Sequence, residues 1–154
     1  MPSMAVIEDF LHQDRLAVVG ASDRPQDMAY VVLHELRKRG HTVYPVNHHR
    51  DTLEGERCYA SVEDIPEPVG GAMVFVNAAA AADVVRQCAE AHIPRVWLHK
   101  GLGPSSVSDE AVQLCRDNHI AVVDGACAMM FLEPVAMFHR VHRGARRMHH
   151  ALTA

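Results

Sequence analysis

Two short stretches of this 154-residue chain hold residue types suited to a phosphorylated ligand. The first, Gly20-Ala21-Ser22-Asp23-Arg24-Pro25, closes an apolar run with small residues, a hydroxyl at Ser22 and a guanidinium at Arg24. Where such a turn leads into a helix, free backbone N–H groups and the positive end of the helix dipole favour a phosphate. The second, Asn47-His48-His49-Arg50, supplies an amide, two imidazoles and a guanidinium. A fold that binds NAD places an acidic residue at the end of its second strand for the ribose hydroxyls; this stretch opens on Asn47 instead. Nor is the G-x-G-x-x-G fingerprint met, because Ser22 and Pro25 occupy its second and third glycine positions counted from Gly20. The ribose side is set up for a phosphate rather than a free diol, which leaves NADP or a 3′-phosphorylated nucleotide such as coenzyme A. The plain alternative for the Gly20 turn is a tight strand-to-helix connection with no ligand.

Metal and thiol chemistry have weaker support. Twelve histidines include the local groups His48-His49, His139-x-x-His142 and His149-His150, but no carboxylate or cysteine completes a set at ligand spacing. No metal site is expected. The four cysteines, Cys58, Cys88, Cys115 and Cys127, form no CxxC pair, which argues against structural zinc and a thioredoxin-type dithiol.

The elements that must position these residues alternate. Arg15–Gly20 is a β-branched run ending in glycine, as in a strand buried on both faces of a parallel sheet. Apolar positions at helical spacing from Asp27 to Arg39, with Arg37, Lys38 and Arg39 in the last turn and Gly40 after it, predict a helix. Strands are expected at Thr42–Val46, Ala72–Val76, Arg95–Leu98 and Ile120–Val123. Helices are expected at Ala79–His92 and, with a serine cap, at Ser106–Asn118. The Gly- and Pro-containing segment Asp51–Gly71 predicts a loop with a short helical turn near Ser61–Ile65. Val6, Ile7, Phe10 and Leu11 suggest a leading helix. Ala128–His142 reads as helical with an interruption at Pro134, followed by a basic, histidine-containing tail, Arg143–Ala154. Five strands alternating with helices predict an α/β, Rossmann-like three-layer sandwich on a five-stranded parallel sheet. One domain spanning 1–154 is expected, with its core at 15–127 and a helical extension at 128–154.

Composition narrows the class. The formal charge of −4 leaves no cationic surface for nucleic acid. No run reaches the roughly 20 apolar residues of a membrane span, and the N-terminus has acids where a secretory signal needs basic residues. A cytoplasmic protein with reduced thiols is expected, without nucleic-acid or membrane partners; a homodimer is left open. The basic tail lacks interleaved aromatics and reads as a solvated helix end.

In order and spacing, VVGAS (Val18–Ser22), YPVN (Tyr44–Asn47), the segment Gly55–Pro66, AMVFV (Ala72–Val76), VWLHKG (Val96–Gly101) and VVDGAC (Val122–Cys127) make the chain recognisable. It resembles the CoA-binding domain family, small stand-alone proteins similar to the N-terminal domain of the succinyl-CoA synthetase alpha subunit. The resemblance implies that the loop Gly20, Ala21, Ser22, Asp23, Arg24 and Pro25 wraps the CoA phosphates. It further implies that Val46 and Asn47 lie along the adenosine with Arg50 toward phosphate, that Val76, Asn77 and Ala78 line the next wall, and that Leu98, His99 and Lys100 contact the pantetheine side. The pattern departs at two positions: many members read VFR where this chain has Val74-Phe75-Val76-Asn77, and they have glutamine where His99 stands. His99 reads as a hydrogen-bond donor to ligand rather than an acid or base, and Cys127, where the family has a cysteine, as a packed thiol.

The expected function is CoA or acyl-CoA binding without catalysis by this chain itself. Acid–CoA ligation would need a phosphorylatable histidine loop on a second domain and a partner subunit. The alternatives are an NADP-binding oxidoreductase or regulatory protein on the same fold, and an interaction scaffold with a vestigial cleft.

Overall fold

A computed structural model describes residues 2–101 and 105–132. Five parallel strands form one sheet: β1 (Arg15–Val19), β2 (Thr42–Val46), β5 (Gly71–Val74), β6 (Arg95–His99) and β7 (Ala121–Ala126). Their order across the sheet is β2-β1-β5-β6-β7, so the chain winds outward from β1 first one way and then the other. Helix α1 (Met4–Leu11) and helix α2 (Met28–Lys38) cover one face; α3 (Ala78–Glu90) and α4 (Asp109–Asp117) cover the other. This is the expected α/β sandwich.

The alternation of side chains along each strand builds both layers. Leu16, Val18, Met73 and Trp97 pack with Ile7, Phe10 and the α2 residues Val32, Leu33 and Leu36. Ala17, Val19, Val74, Val96 and Leu98 pack with Val85, Cys88 and Cys115 of α3 and α4. Trp97, the largest fully buried side chain, stands edge-on to Phe10 with ring centroids 5.4 Å apart and donates its indole N–H to the Ala126 carbonyl at 3.0 Å. Its polar atom is satisfied, so its large apolar surface can be buried without an orphaned donor.

Three features depart from the sequence expectations. Segment 51–71 contains a small antiparallel hairpin, β3 (Thr52–Leu53) with β4 (Glu56–Arg57), turning through Glu54 and Gly55 at positive φ. Glu54 and Glu56 bring it onto α2, through His34 at 3.0 Å and Arg37 at 2.6 Å. The serine capping α4 is Ser108, whose hydroxyl accepts from the Ala111 N–H; the helix therefore starts after Ser106. Strand β7 runs on to Ala126 through an irregularity opposite Leu98 and His99, where Gly125 adopts φ +83°. The extra residue is accommodated as in a bulge, which re-aims the chain beyond it.

The outer margin of β2 is covered. Tyr59 donates its N–H to the Pro45 carbonyl and accepts from the Asn47 N–H, at 3.0 and 2.9 Å. Residues 129–132 begin a helical turn. The rest of the anticipated C-terminal helix, the basic tail and the histidine groups at 139–142 and 149–150 lie outside the described residues.

Candidate functional site

In open α/β sheets ligands seat beyond the carboxyl ends of the strands, where strand order reverses. Here that point lies between β1 and β5. At it, Gly20 has φ +86°, and a Cβ there would sit 2.8 Å from the Phe75 carbonyl oxygen. Only glycine allows this approach of two strand ends without strain.

The loop after β1 is zipped to the loop after β2. The N–H groups of Gly20 and Ala21 both donate to the Val46 carbonyl, at 2.9 and 3.1 Å. Asn47 Nδ2 donates to the Ala21 carbonyl at 2.9 Å, while its Oδ1 accepts the His49 N–H at 2.9 Å. Above that tie, Arg50 and Asp23 form a forked pair, Nη1 to Oδ2 at 2.7 Å and Nη2 to Oδ1 at 3.0 Å. The hydrogen bond to Arg50 holds the Asp23 carboxyl below its ordinary range, and Asp23 raises Arg50 in return. The rings of His48 and His49, tilted by 44°, lie with centroids 3.7 Å apart.

At the start of α2 the polar groups also satisfy one another. Ser22 Oγ donates to Asp27 Oδ2 at 2.6 Å and accepts the Arg24 N–H at 3.0 Å. Arg24 Nε lies 3.5 Å from the same carboxylate, and Asp27 is the N-cap residue, making no side-chain cap hydrogen bond. Pro25 is exposed beside them. Both arginines expected to meet phosphate therefore face carboxylates, and the N-terminus of α2 carries a negative charge of its own.

The remaining loops complete the crevice. Phe75 donates its N–H to the Val19 carbonyl at 2.8 Å. Asn77 Oδ1 accepts the Ala80 N–H at 2.9 Å, capping α3, whose first residue is Ala78. The side chains of Val46 and Leu98 belong to the core, so these two positions can offer a ligand only backbone. Val76 is half-buried, and its carbonyl accepts from the hydroxyl of Ser106. Ser106 also donates its N–H to the His99 carbonyl at 2.8 Å, tying the ends of β5 and β6 together. Lys100 is exposed and forms no ion pair among the described residues.

His99 is 7% exposed, and its ring lies 4.8 Å from that of Phe75. Nδ1 is buried without a hydrogen-bond partner. Burial pushes the imidazole below its ordinary pKa, so at neutral pH it is uncharged. A Cβ on Gly101 would stand 3.1 Å from His99 Nε2 and 3.9 Å from Cys127 Sγ, which places the imidazole and the half-buried thiol around one point.

The structure thus brings the expected residues to one edge of the sheet, with Val46 and Leu98 turned inward. Sequence reasoning missed Phe75 and Ser106 as parts of that edge. Ser108 is followed at once by Asp109 and Glu110, acids that suit the positive end of the helix dipole, and reading it as the cap would have released Ser106 for another role. Among the described residues no group of three His, Cys, Asp or Glu could hold a metal ion, and no helix is long and apolar enough to cross a membrane.

A family model described as "CoA binding domain" matches residues 14–133. The uncharacterized protein YneT of Bacillus subtilis (strain 168) is 30% identical over 127 residues, covering 82% of this chain and 91% of that protein. The alpha subunit of acetate–CoA ligase [ADP-forming] II of Pyrococcus furiosus is 31% identical over 86 residues; the match covers 55% of this chain but 19% of the subunit. The solved structure of a hypothetical protein from Pyrococcus horikoshii OT3 superposes with a TM-score of 0.78 at 27% identity, over 86% of this chain and 90% of that one.

Proposed function

The chain belongs to the CoA-binding domain family, and from that premise we propose that it binds coenzyme A or an acyl-CoA across the carboxyl ends of β2, β1, β5 and β6. The observation that carries this reading is the crevice at the switch point, where Gly20 closes to contact distance with the Phe75 backbone and four polar loops converge. The adenosine would lie by Asn47 and Arg50, the diphosphate along Gly20–Pro25, and the pantetheine toward His99 and Lys100. The ligase relative holds its matching segment within a much longer chain, and ligation is not part of this proposal.

Titration calorimetry with CoA, dephospho-CoA and NADPH tests the reading. CoA should bind more tightly than the other two. Tight NADPH binding with no heat from CoA would favour an oxidoreductase or regulatory protein using NADP, and silence from all three would leave an interaction scaffold.

A further inference from the structure

We propose that Asp23 is a built-in competitor for the ligand's ribose phosphate: it engages the Arg50 guanidinium and sets the discrimination between phosphorylated and unphosphorylated ribose. This rests on the CoA-binding reading and deepens it.

Arg50 stands at the end of β2, where a fold of this winding places the ribose of an adenine nucleotide. A guanidinium recognises phosphate through two parallel N–H groups. In this protein both terminal nitrogens are already engaged that way, at 2.7 and 3.0 Å, by a single carboxylate. Asp23 therefore imitates one edge of a phosphate.

The clasp is cheap to open. Its side chains are 38% and 41% exposed, and exposed ion pairs are weak and screened by salt. A phosphate dianion carries more charge than a carboxylate and can take the fork. A ligand without that phosphate has nothing to exchange for Asp23, so the clasp stays closed above it.

Opening the clasp leaves the loops in place. Asn47 still holds Ala21, and Val46 still accepts from Gly20 and Ala21. Asp23 can thus swing out without disturbing the scaffold that positions Arg50. Its neighbours explain why it is the competitor: the other carboxylate of the loop, Asp27, is engaged by Ser22 and Arg24 instead.

Affinities of the full chain for CoA and dephospho-CoA, with Asp23→Asn and Asp23→Ser, test this. Circular dichroism checks folding, and Glu90→Gln at the far end of α3 controls for the change in net charge. Neutralising Asp23 should tighten CoA about three- to ten-fold, with dephospho-CoA moving less than about two-fold. Glu90→Gln should move neither. CoA bound by the wild type but unchanged or weakened in both Asp23 variants would overturn the competitor role and leave the CoA reading standing. Equal tightening of both ligands would also overturn it, because the effect would then be general charge. A wild type that binds no CoA would overturn the reading beneath it.

Discussion

The imidazole of His99 lies on the ring of Phe75, centroids 4.8 Å apart, with Nδ1 buried and unpartnered. Protonating such a ring costs desolvation energy that the unfolded chain does not bear. The folded pKa of His99 is depressed, so the contribution to stability is complete above the ordinary value near 6.5. It is lost as pH falls from there toward the folded pKa, because the unfolded state binds the proton first. Melting temperature should drop as pH falls below about 6.5, and the drop should shrink in His99→Gln. Identical pH profiles for the two proteins would remove His99 as the cause.

Gly20→Ala should destabilise the fold. The new Cβ meets the Phe75 carbonyl at 2.8 Å, and the backbone sits at φ +86°, so strain of about 1–3 kcal/mol is expected. Urea unfolding that returns a wild-type midpoint would show that the strand ends can part freely.

Ser106→Ala removes the hydroxyl that donates to the Val76 carbonyl from a residue only 1% exposed. Leaving that carbonyl without its donor should cost about 1–3 kcal/mol. The urea midpoint should fall with an unchanged slope; an unchanged midpoint would mean that the link between β5 and β6 is carried by the Ser106 backbone alone.

Asn47→Ala releases the Ala21 carbonyl and the His49 N–H together. Hydrogen exchange at His49 should accelerate, and CoA and dephospho-CoA should weaken alike, since a loosened scaffold affects every ligand. Weakening confined to CoA would place Asn47 against the ribose phosphate instead.

The fold was largely legible because its signals are local. Thr42–Val46 is a compact apolar strand, and the helix before it announces itself through cations in its last turn and Gly40 beyond it. The 3₁₀ turn at Val62–Asp64 has its cap at Ser61, inside the expected Ser61–Ile65 turn. The hairpin at 52–57 escaped because its strands are two residues long, too short for periodicity. Glu54 also takes a positive φ that its type does not advertise. At the site, residue types and strand ends could be read, but charge partners could not. Asp23 and Arg50 meet across 27 positions only because β1 and β2 are neighbours. The orientation of Leu98 into the core likewise depends on which layer its strand face meets.

The strap across β2 also bears on how copies of this protein can meet. An open sheet margin offers unpaired N–H and C=O groups on which a second chain can build. On β2 the outward carbonyl of Pro45 is already taken by Tyr59, and Pro45 has no N–H to offer. At the opposite margin, β7 carries an irregularity at Gly125 that breaks an even ladder. Among the described residues, one border is capped at Pro45 and the other kinked at Gly125, and both features disfavour strand-by-strand growth into a continuous intermolecular sheet.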